Sequence, residues 1–139
     1  MAEAVATDIL KRGKAMSTII LASPRVDQWQ AFSDALAAGI RTDIVAVRSA
    51  ADAMEAAQRL RPQLVVIDAE LGDQTAADLI RRLLGIDAMI NTAVASAEAE
   101  AIFHEETEGL GILMKLSPLP TSAEAGRLVE CLRQVTGVA

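Results

Sequence analysis

The sequence predicts an α/β protein whose core is a parallel sheet of five strands, covered on both faces by helices. Five short aliphatic segments each precede a segment whose apolar residues recur with helical spacing. The strand segments are apolar throughout instead of alternating with polar residues, which is typical of strands covered on both faces. Because crossovers between parallel strands are right-handed, this alternation gives a doubly wound sheet. A length of 139 residues suits one such domain.

The first half of the chain contains three strand segments. The first, at 17–22, reads "STIILA" and is rich in β-branched residues. Helically spaced apolar residues then predict a helix from Val26 to Ala38, and Gly39 follows as its stop. The second strand is predicted at 42–47 and the third at 63–68.

Two more helices are predicted around the third strand. The helix before it begins after Ser49, whose hydroxyl can cap free backbone N–H groups, and it ends at Pro62. The helix after it runs from Ala76 to Leu84, with its leucine and isoleucine residues turned inward.

The second half of the chain completes the pattern. A fourth strand is predicted at 91–96, followed by a short helix that begins near Ala99. The fifth strand is predicted at 111–116. Thr121 and Glu124 have the spacing of a capping box, so they predict the start of the last helix.

Composition excludes several classes of function. The net charge of −6 and the pI near 4.7 argue against binding to nucleic acid or to an anionic membrane. No apolar run reaches the roughly 20 residues that span a bilayer. Cys131 is the single cysteine, so no internal disulfide can form and a reducing cytoplasm is expected. We expect a leader or short helix at 1–15 and one domain at 16–139.

Asp68 is the residue that most suggests a functional site. It ends the apolar run "LVVID", so it stands at the carboxyl end of the third strand. In doubly wound sheets, functional groups gather at the carboxyl ends of the strands. From the residues alone, Asp68 is either a turn or cap residue or a reactive group.

Three segments together resemble the receiver domains of response regulators, the CheY-like family, over Met16 to Val135. The segments are "VVIDAELGDQTAADLI", "VASA" and "GILMK". The resemblance implies a flavodoxin-like fold and makes Asp68 the phosphoacceptor. It makes Ser96 the hydroxyl that binds the phosphoryl group, with Thr92 as the alternative. It makes Lys115 the cation of the site, and we expect Lys115 to be the main partner of Asp68.

The chain also departs from that family, mainly in its metal pocket. Ser23 and Pro24 follow the first strand, where the family has a pair of acidic residues. Asp68 remains as a carboxylate, with Glu70 as a weak second candidate ligand. Because Mg²⁺ in proteins is held by carboxylates and water, its binding here should be weak or absent. Ile112 replaces the aromatic residue of the family's fifth strand.

The resemblance implies a signalling domain of a two-component phosphorelay that is not itself an enzyme and acts by docking to other proteins. Its expected partners are a sensor histidine kinase or phosphotransfer protein and a downstream protein, with a homodimer as a further possibility. The alternative is a pseudo-receiver that acts as a scaffold or dimerisation module without phosphorylation. A cofactor-binding flavodoxin-like protein is a weaker alternative, because the chain lacks the glycine-rich phosphate-binding motifs.

Overall fold

A computed structural model describes residues 17–136 as a five-stranded parallel sheet between two layers of helices. The strands are β1 (Ser17–Ala22), β2 (Thr42–Val47), β3 (Leu64–Asp68), β4 (Asn91–Ala95) and β5 (Met114–Leu116). The α-helices are α1 (Gln30–Gly39), α2 (Ala50–Leu60), α3 (Ala76–Ile86), α4 (Glu100–Thr107) and α5 (Ser122–Thr136). The leader or short helix predicted at 1–15 lies outside the described residues.

The strand order is β2-β1-β3-β4-β5, and every neighbouring pair is parallel. This is the doubly wound, flavodoxin-like arrangement that the sequence predicted. Alternate residues of the strands belong to two apolar clusters, one on each face of the sheet. One cluster packs the sheet against α2, α3 and α4, and the other packs it against α1 and α5. No helix among residues 17–136 is long and apolar enough to cross a membrane.

The capping and terminating residues that the sequence predicted for the helices are found at the helix ends. The Ser49 hydroxyl accepts a hydrogen bond from the Asp52 N–H (3.1 Å), so it caps α2 as predicted. Arg61, just before Pro62, has a φ of +48° and ends that helix in the left-handed conformation. Gly39 ends α1, and a β-carbon there would approach Val129 of α5 to 3.1 Å.

Several predicted boundaries were wrong, among them the start of β3, at Leu64 and not at residue 63, and the end of α3, at Ile86 and not at Leu84. A 3-10 helix at Val26–Trp29 precedes α1, so the predicted first helix is divided in two. β4 ends at Ala95, one residue before the predicted end. β5 begins at Met114 and not at residue 111, because Gly109 and Gly111 have φ values of +82° and +68° and turn the chain before the strand.

Glu124 holds the connection between β5 and α5. Its Oε1 accepts hydrogen bonds from the Thr121 N–H (2.9 Å) and the Ser117 hydroxyl (2.7 Å), and its Oε2 accepts one from the Ser117 N–H (2.9 Å). The Glu124 N–H in turn donates to Thr121 Oγ1 (3.2 Å), which completes the predicted capping box. Desolvation raises the pKa of Glu124, but the hydrogen bonds from Ser117 and Thr121 outweigh it, so the pKa lies below its ordinary value.

We expect Glu124→Ala to lower the free energy of unfolding by about 1 kcal/mol in urea denaturation at pH 7, because the cap is lost. Since the folded-state pKa is lowered, this contribution is fully present above the unfolded pKa and is lost as pH falls through the folded pKa. The difference between wild type and variant should therefore shrink in acid. Glu130→Ala, at an exposed position of the same helix, is the control and should cost less than about 0.5 kcal/mol. Equal losses for the two variants would contradict the capping role.

Candidate functional site

The carboxyl ends of β1, β3 and β4 place three polar side chains at one edge of the sheet. Ser23 follows β1, Asp68 ends β3 and Ser96 follows β4. The register pairs Asp68 with Ala95, so Ser96 is the next residue beyond the level of Asp68. All three side chains are buried. Parallel pairing of strands that are distant in sequence therefore builds the site.

Asp68 is a buried carboxylate whose two oxygens both accept hydrogen bonds. Only 1% of its side chain is exposed. The Ser23 hydroxyl donates to Oδ2 (2.7 Å), and the Glu70 N–H donates to Oδ1 (2.8 Å). The second bond folds the chain back over the strand end directly after Asp68, which gives the carboxylate a turn-like local role.

Arg25 supplies the positive charge of the site. Its Nη2 lies 3.1 Å from Asp68 Oδ2 and 3.3 Å from Oδ1, and its Nε lies 3.3 Å from Oδ2. The Arg25 side chain is 34% exposed, so the guanidinium lies between the buried carboxylate and solvent. The Arg25 N–H also donates to Ser23 Oγ (2.9 Å). Ser23 thus both fixes the loop that carries Arg25 and binds the same carboxylate.

The predicted partnership of Asp68 with Lys115 was wrong. No hydrogen bond or ion pair joins them, and Arg25 takes that place. The register pairs Lys115 with Val94, whereas Asp68 is level with Ala95. Because successive strand residues face opposite sides of a sheet, Lys115 and Asp68 point to opposite faces. Lys115 lines a groove beside α4 instead.

The cation beside Asp68 is Arg25 and not the predicted Lys115. Arg25 stands two positions after Ser23, in the loop that follows β1, so it belongs to the same edge of the sheet as Asp68. A basic residue in that loop, combined with the loss of the acidic pair, was the available signal. Nothing local in the sequence shows that the side chain turns back onto β3.

The structure distinguishes the two candidate hydroxyl groups by position. Ser96 lies at the edge, and its Oγ accepts a hydrogen bond from the Glu98 N–H (3.1 Å). Thr92 lies inside β4 and pairs with Val65, three residues before Asp68. Ser96 is therefore the hydroxyl placed near the strand end, and its role in binding a phosphoryl group stays a prediction.

The residues around Asp68 do not fit a magnesium ion. Mg²⁺ needs oxygen ligands, but the groups that face Asp68 are N–H and O–H donors and a guanidinium. Glu70 is exposed, and it reaches Asp68 only through its backbone N–H. Asp27 is 79% exposed and is bound by Arg48, with both of its oxygens 2.8 Å from Nη2. Among residues 17–136, no group of three or more acidic, histidine or cysteine side chains could hold a metal.

Two further polar contacts brace this edge of the sheet. Arg48 donates to the Pro24 carbonyl (3.1 Å), which ties the loop after β2 to the loop after β1. Asp73 accepts hydrogen bonds from the Ala50 N–H (3.0 Å) and the Ala51 N–H (3.1 Å), so the loop after β3 caps α2. The bond from Ala50 is the largest of the effects that leave the pKa of Asp73 below its ordinary value. The three loops after β1, β2 and β3 are thus joined in one polar network.

The α4 side of the edge is acidic. A groove of about 850 Å³ runs between α4 and β5, with Phe103, Ile112 and Met114 among its apolar lining residues. Its lining residues also include three glutamates, Glu100, Glu105 and Glu108, and one lysine, Lys115, so its net charge is negative. Nearby, a hydrogen bond that the protonated Glu98 carboxyl donates to Glu106 raises the pKa of Glu98, and Lys115 acts in the opposite direction. This part of the surface would favour a positively charged partner.

Neither a known protein family nor a curated protein matches the sequence. Solved structures do match the fold. A CheY-like receiver domain from Methanospirillum hungatei JF-1 has a TM-score of 0.75 at 10% identity and covers 89% of this chain and 99% of its own. A response regulator from Thermotoga maritima has a TM-score of 0.73 at 17% identity, covering 86% and 98%. The chemotaxis response regulator CheY4 of Vibrio cholerae has a TM-score of 0.72 at 13% identity, covering 84% and 98%. The chain has the fold of receiver domains, as the sequence resemblance predicted.

A pair of double-mutant cycles tests which cation belongs to Asp68. We expect Arg25→Ala and Asp68→Ala to show a coupling energy above about 1 kcal/mol in urea denaturation, because the two groups form a mostly buried ion pair. Lys115→Ala and Asp68→Ala are the matched control and should be additive within about 0.5 kcal/mol. Coupling between Lys115 and Asp68, together with additivity between Arg25 and Asp68, would contradict this assignment. Lys115 would then be the partner of Asp68, and the Arg25 contact would be unimportant.

Proposed function

We propose that this chain is a receiver-like signalling domain that acts by docking to a protein partner, without Mg²⁺-dependent phosphorylation of Asp68 as its normal trigger. The receiver fold supports the signalling role. The contact between Asp68 and Arg25 supports independence from phosphorylation, and this single observation carries the proposal.

Phosphoryl transfer to a carboxylate requires a free oxygen and compensation of the incoming negative charge. A phosphoryl group adds about 1.5 to 2 negative charges, so it needs cations beside it. Both oxygens of Asp68 are engaged by donors, and the side chain is almost fully buried under Arg25. A phosphodonor could reach Asp68 only after the guanidinium moved away. The resting site therefore favours a constitutive carboxylate over a reactive one.

A phosphorelay receiver is the second candidate function. The observation in its favour is the position of Asp68 at the end of the central strand. In the strand register, Ser96 lies one residue beyond the level of Asp68. In this case a sensor histidine kinase or a phosphotransfer protein would be the donor, and Asp68 would be the acceptor. Arg25 would have to leave Asp68 before the reaction and could then bind the phosphoryl oxygens.

Intact-mass spectrometry after incubation with acetyl phosphate separates the two candidates. We expect wild-type protein to gain no phosphoryl group in about 10 mM MgCl₂, a concentration far above the Kd of a tight site. The reason is that Arg25 covers Asp68. Asp68→Asn is the control that identifies modification elsewhere in the chain. Addition of one phosphoryl mass to wild type and not to Asp68→Asn would establish the phosphorelay function and overturn our proposal.

The groove between α4 and β5 is the surface at which we expect docking. Its apolar and glutamate lining residues suit a partner segment that combines apolar and basic residues. The same surface would serve for a downstream protein or for a second copy of this chain.

A photo-crosslinking amino acid in place of Glu105, an exposed residue that lines the groove, should capture a protein partner in cells, and one in place of Gln58 should not. Gln58 is exposed on α2, which belongs to another part of the surface, and so controls for random collision. Adducts with a second copy of the chain would establish the homodimer. Equal adducts from both positions, or none from position 105, would contradict docking at α4.

A further inference from the structure

The pocket at Asp68 contains its own cation. We propose that Arg25 is the permanent counter-ion of this pocket, held on a tether in the place where a metal ion would otherwise neutralise the carboxylate. This role of Arg25 extends the proposed function. It rests on that function, because the proposed function is what makes this edge of the sheet important.

Burial makes a counter-ion necessary. A carboxylate that leaves water without a partner costs far more free energy than one hydrogen bond returns, so buried charges are paired or bind metals. Asp68 is 1% exposed, and Arg25 is its single ion-pair partner among residues 17–136. The neutral donors from Ser23 and Glu70 orient the carboxylate but add no charge.

The geometry favours a guanidinium over a metal. Arg25 meets Asp68 through two nitrogens at three contacts between 3.1 and 3.3 Å, which is a fork that spans both carboxylate oxygens. A metal would need further oxygen ligands, and Ser23 directs a hydroxyl hydrogen at Asp68 instead. The guanidinium is also weakly hydrated compared with Mg²⁺, so less water must be removed to seat it.

The loop after β1 holds the Arg25 guanidinium beside Asp68. The Arg25 N–H is bonded to Ser23 Oγ (2.9 Å), and the Pro24 carbonyl is bonded to Arg48. Tethering converts binding of the cation into an intramolecular event with a high effective concentration. A free cation from solution therefore cannot compete while Arg25 is present. Removing Arg25 supplies no further oxygen ligand from residues 17–136, so a divalent cation should not take its place.

Thermal unfolding of Arg25→Met, with and without MgCl₂ or MnCl₂ at constant ionic strength, tests this. The variant keeps much of the side-chain volume and loses the charge. We expect its Tm to lie about 10 °C below that of wild type, because a buried carboxylate has lost its counter-ion. Neither divalent cation should raise the variant's Tm by more than about 1 °C, because a ligand stabilises only if it binds the folded state, and a single carboxylate surrounded by hydrogen-bond donors does not hold a metal ion. Wild type should shift by less than about 1 °C.

Arg48→Met is the matched control. Arg48 is an arginine on the same edge whose carboxylate partner, Asp27, is exposed. We expect Arg48→Met to change the Tm by less than about 3 °C and to show no response to divalent cations, because an exposed ion pair contributes little.

A double variant keeps the test decisive if Arg25→Met does not fold. Adding Asp68→Asn removes the buried charge, so Arg25→Met/Asp68→Asn should fold, should be more stable than Arg25→Met and should not respond to the divalent cations. The inference is overturned if Arg25→Met is as stable as Arg48→Met. It is also overturned if Mg²⁺ or Mn²⁺ raises the Tm of Arg25→Met by about 3 °C or more and leaves that of the double variant unchanged, because the pocket would then hold a metal ion. Phosphorylation of wild type in the mass assay would contradict the proposed function without altering these melting results.

Discussion

The need to compensate one buried negative charge organises the carboxyl edge of this sheet. Asp68 ends the central strand, where neighbouring strands and loops exclude water from its side chain. A carboxylate there must be matched by donors and by a positive charge. Ser23, Arg25 and the Glu70 N–H provide the match, and each comes from a segment that must be held in place for the bond to form. The conformation of the loop after β1 and of the turn after β3 is therefore tied to the charge of Asp68.

The same edge is divided into two regions with different connections. Side-chain contacts join the loops after β1, β2 and β3: Arg25 binds Asp68, Arg48 binds Asp27 and the Pro24 carbonyl, and Asp73 caps α2. The segments after β4 and β5 are bonded within themselves, through Ser96 with Glu98 and through Ser117 with Glu124. Within residues 17–136, no side-chain hydrogen bond crosses between the two regions. A change at Asp68 would thus be felt first in the loops of β1 to β3, whereas the acidic groove at α4 can bind a partner independently.

The elements of the fold could be predicted because their signals are local. Apolar runs indicated the strands, and Ser49 and the pair Thr121 and Glu124 marked helix starts with hydrogen bonds that span three residues. The shortened β5 was missed because positive φ angles at Gly109 and Gly111 override an apolar run that otherwise resembles a strand. The break before α1 was missed because the same apolar spacing suits a 3-10 helix followed by an α-helix.

The sequence by itself determined that Asp68 stands at a strand end, that the acidic pair of the receiver family is absent and that a cation must compensate the carboxylate. Tertiary structure decided which cation it is. Lys115 was excluded by strand register, since it is level with Val94 and faces the other side of the sheet. Arg25 was selected by the fold of a loop that brings residues 43 positions apart into contact. Register and loop closure depend on the simultaneous packing of distant segments, so no local pattern of residues specifies them.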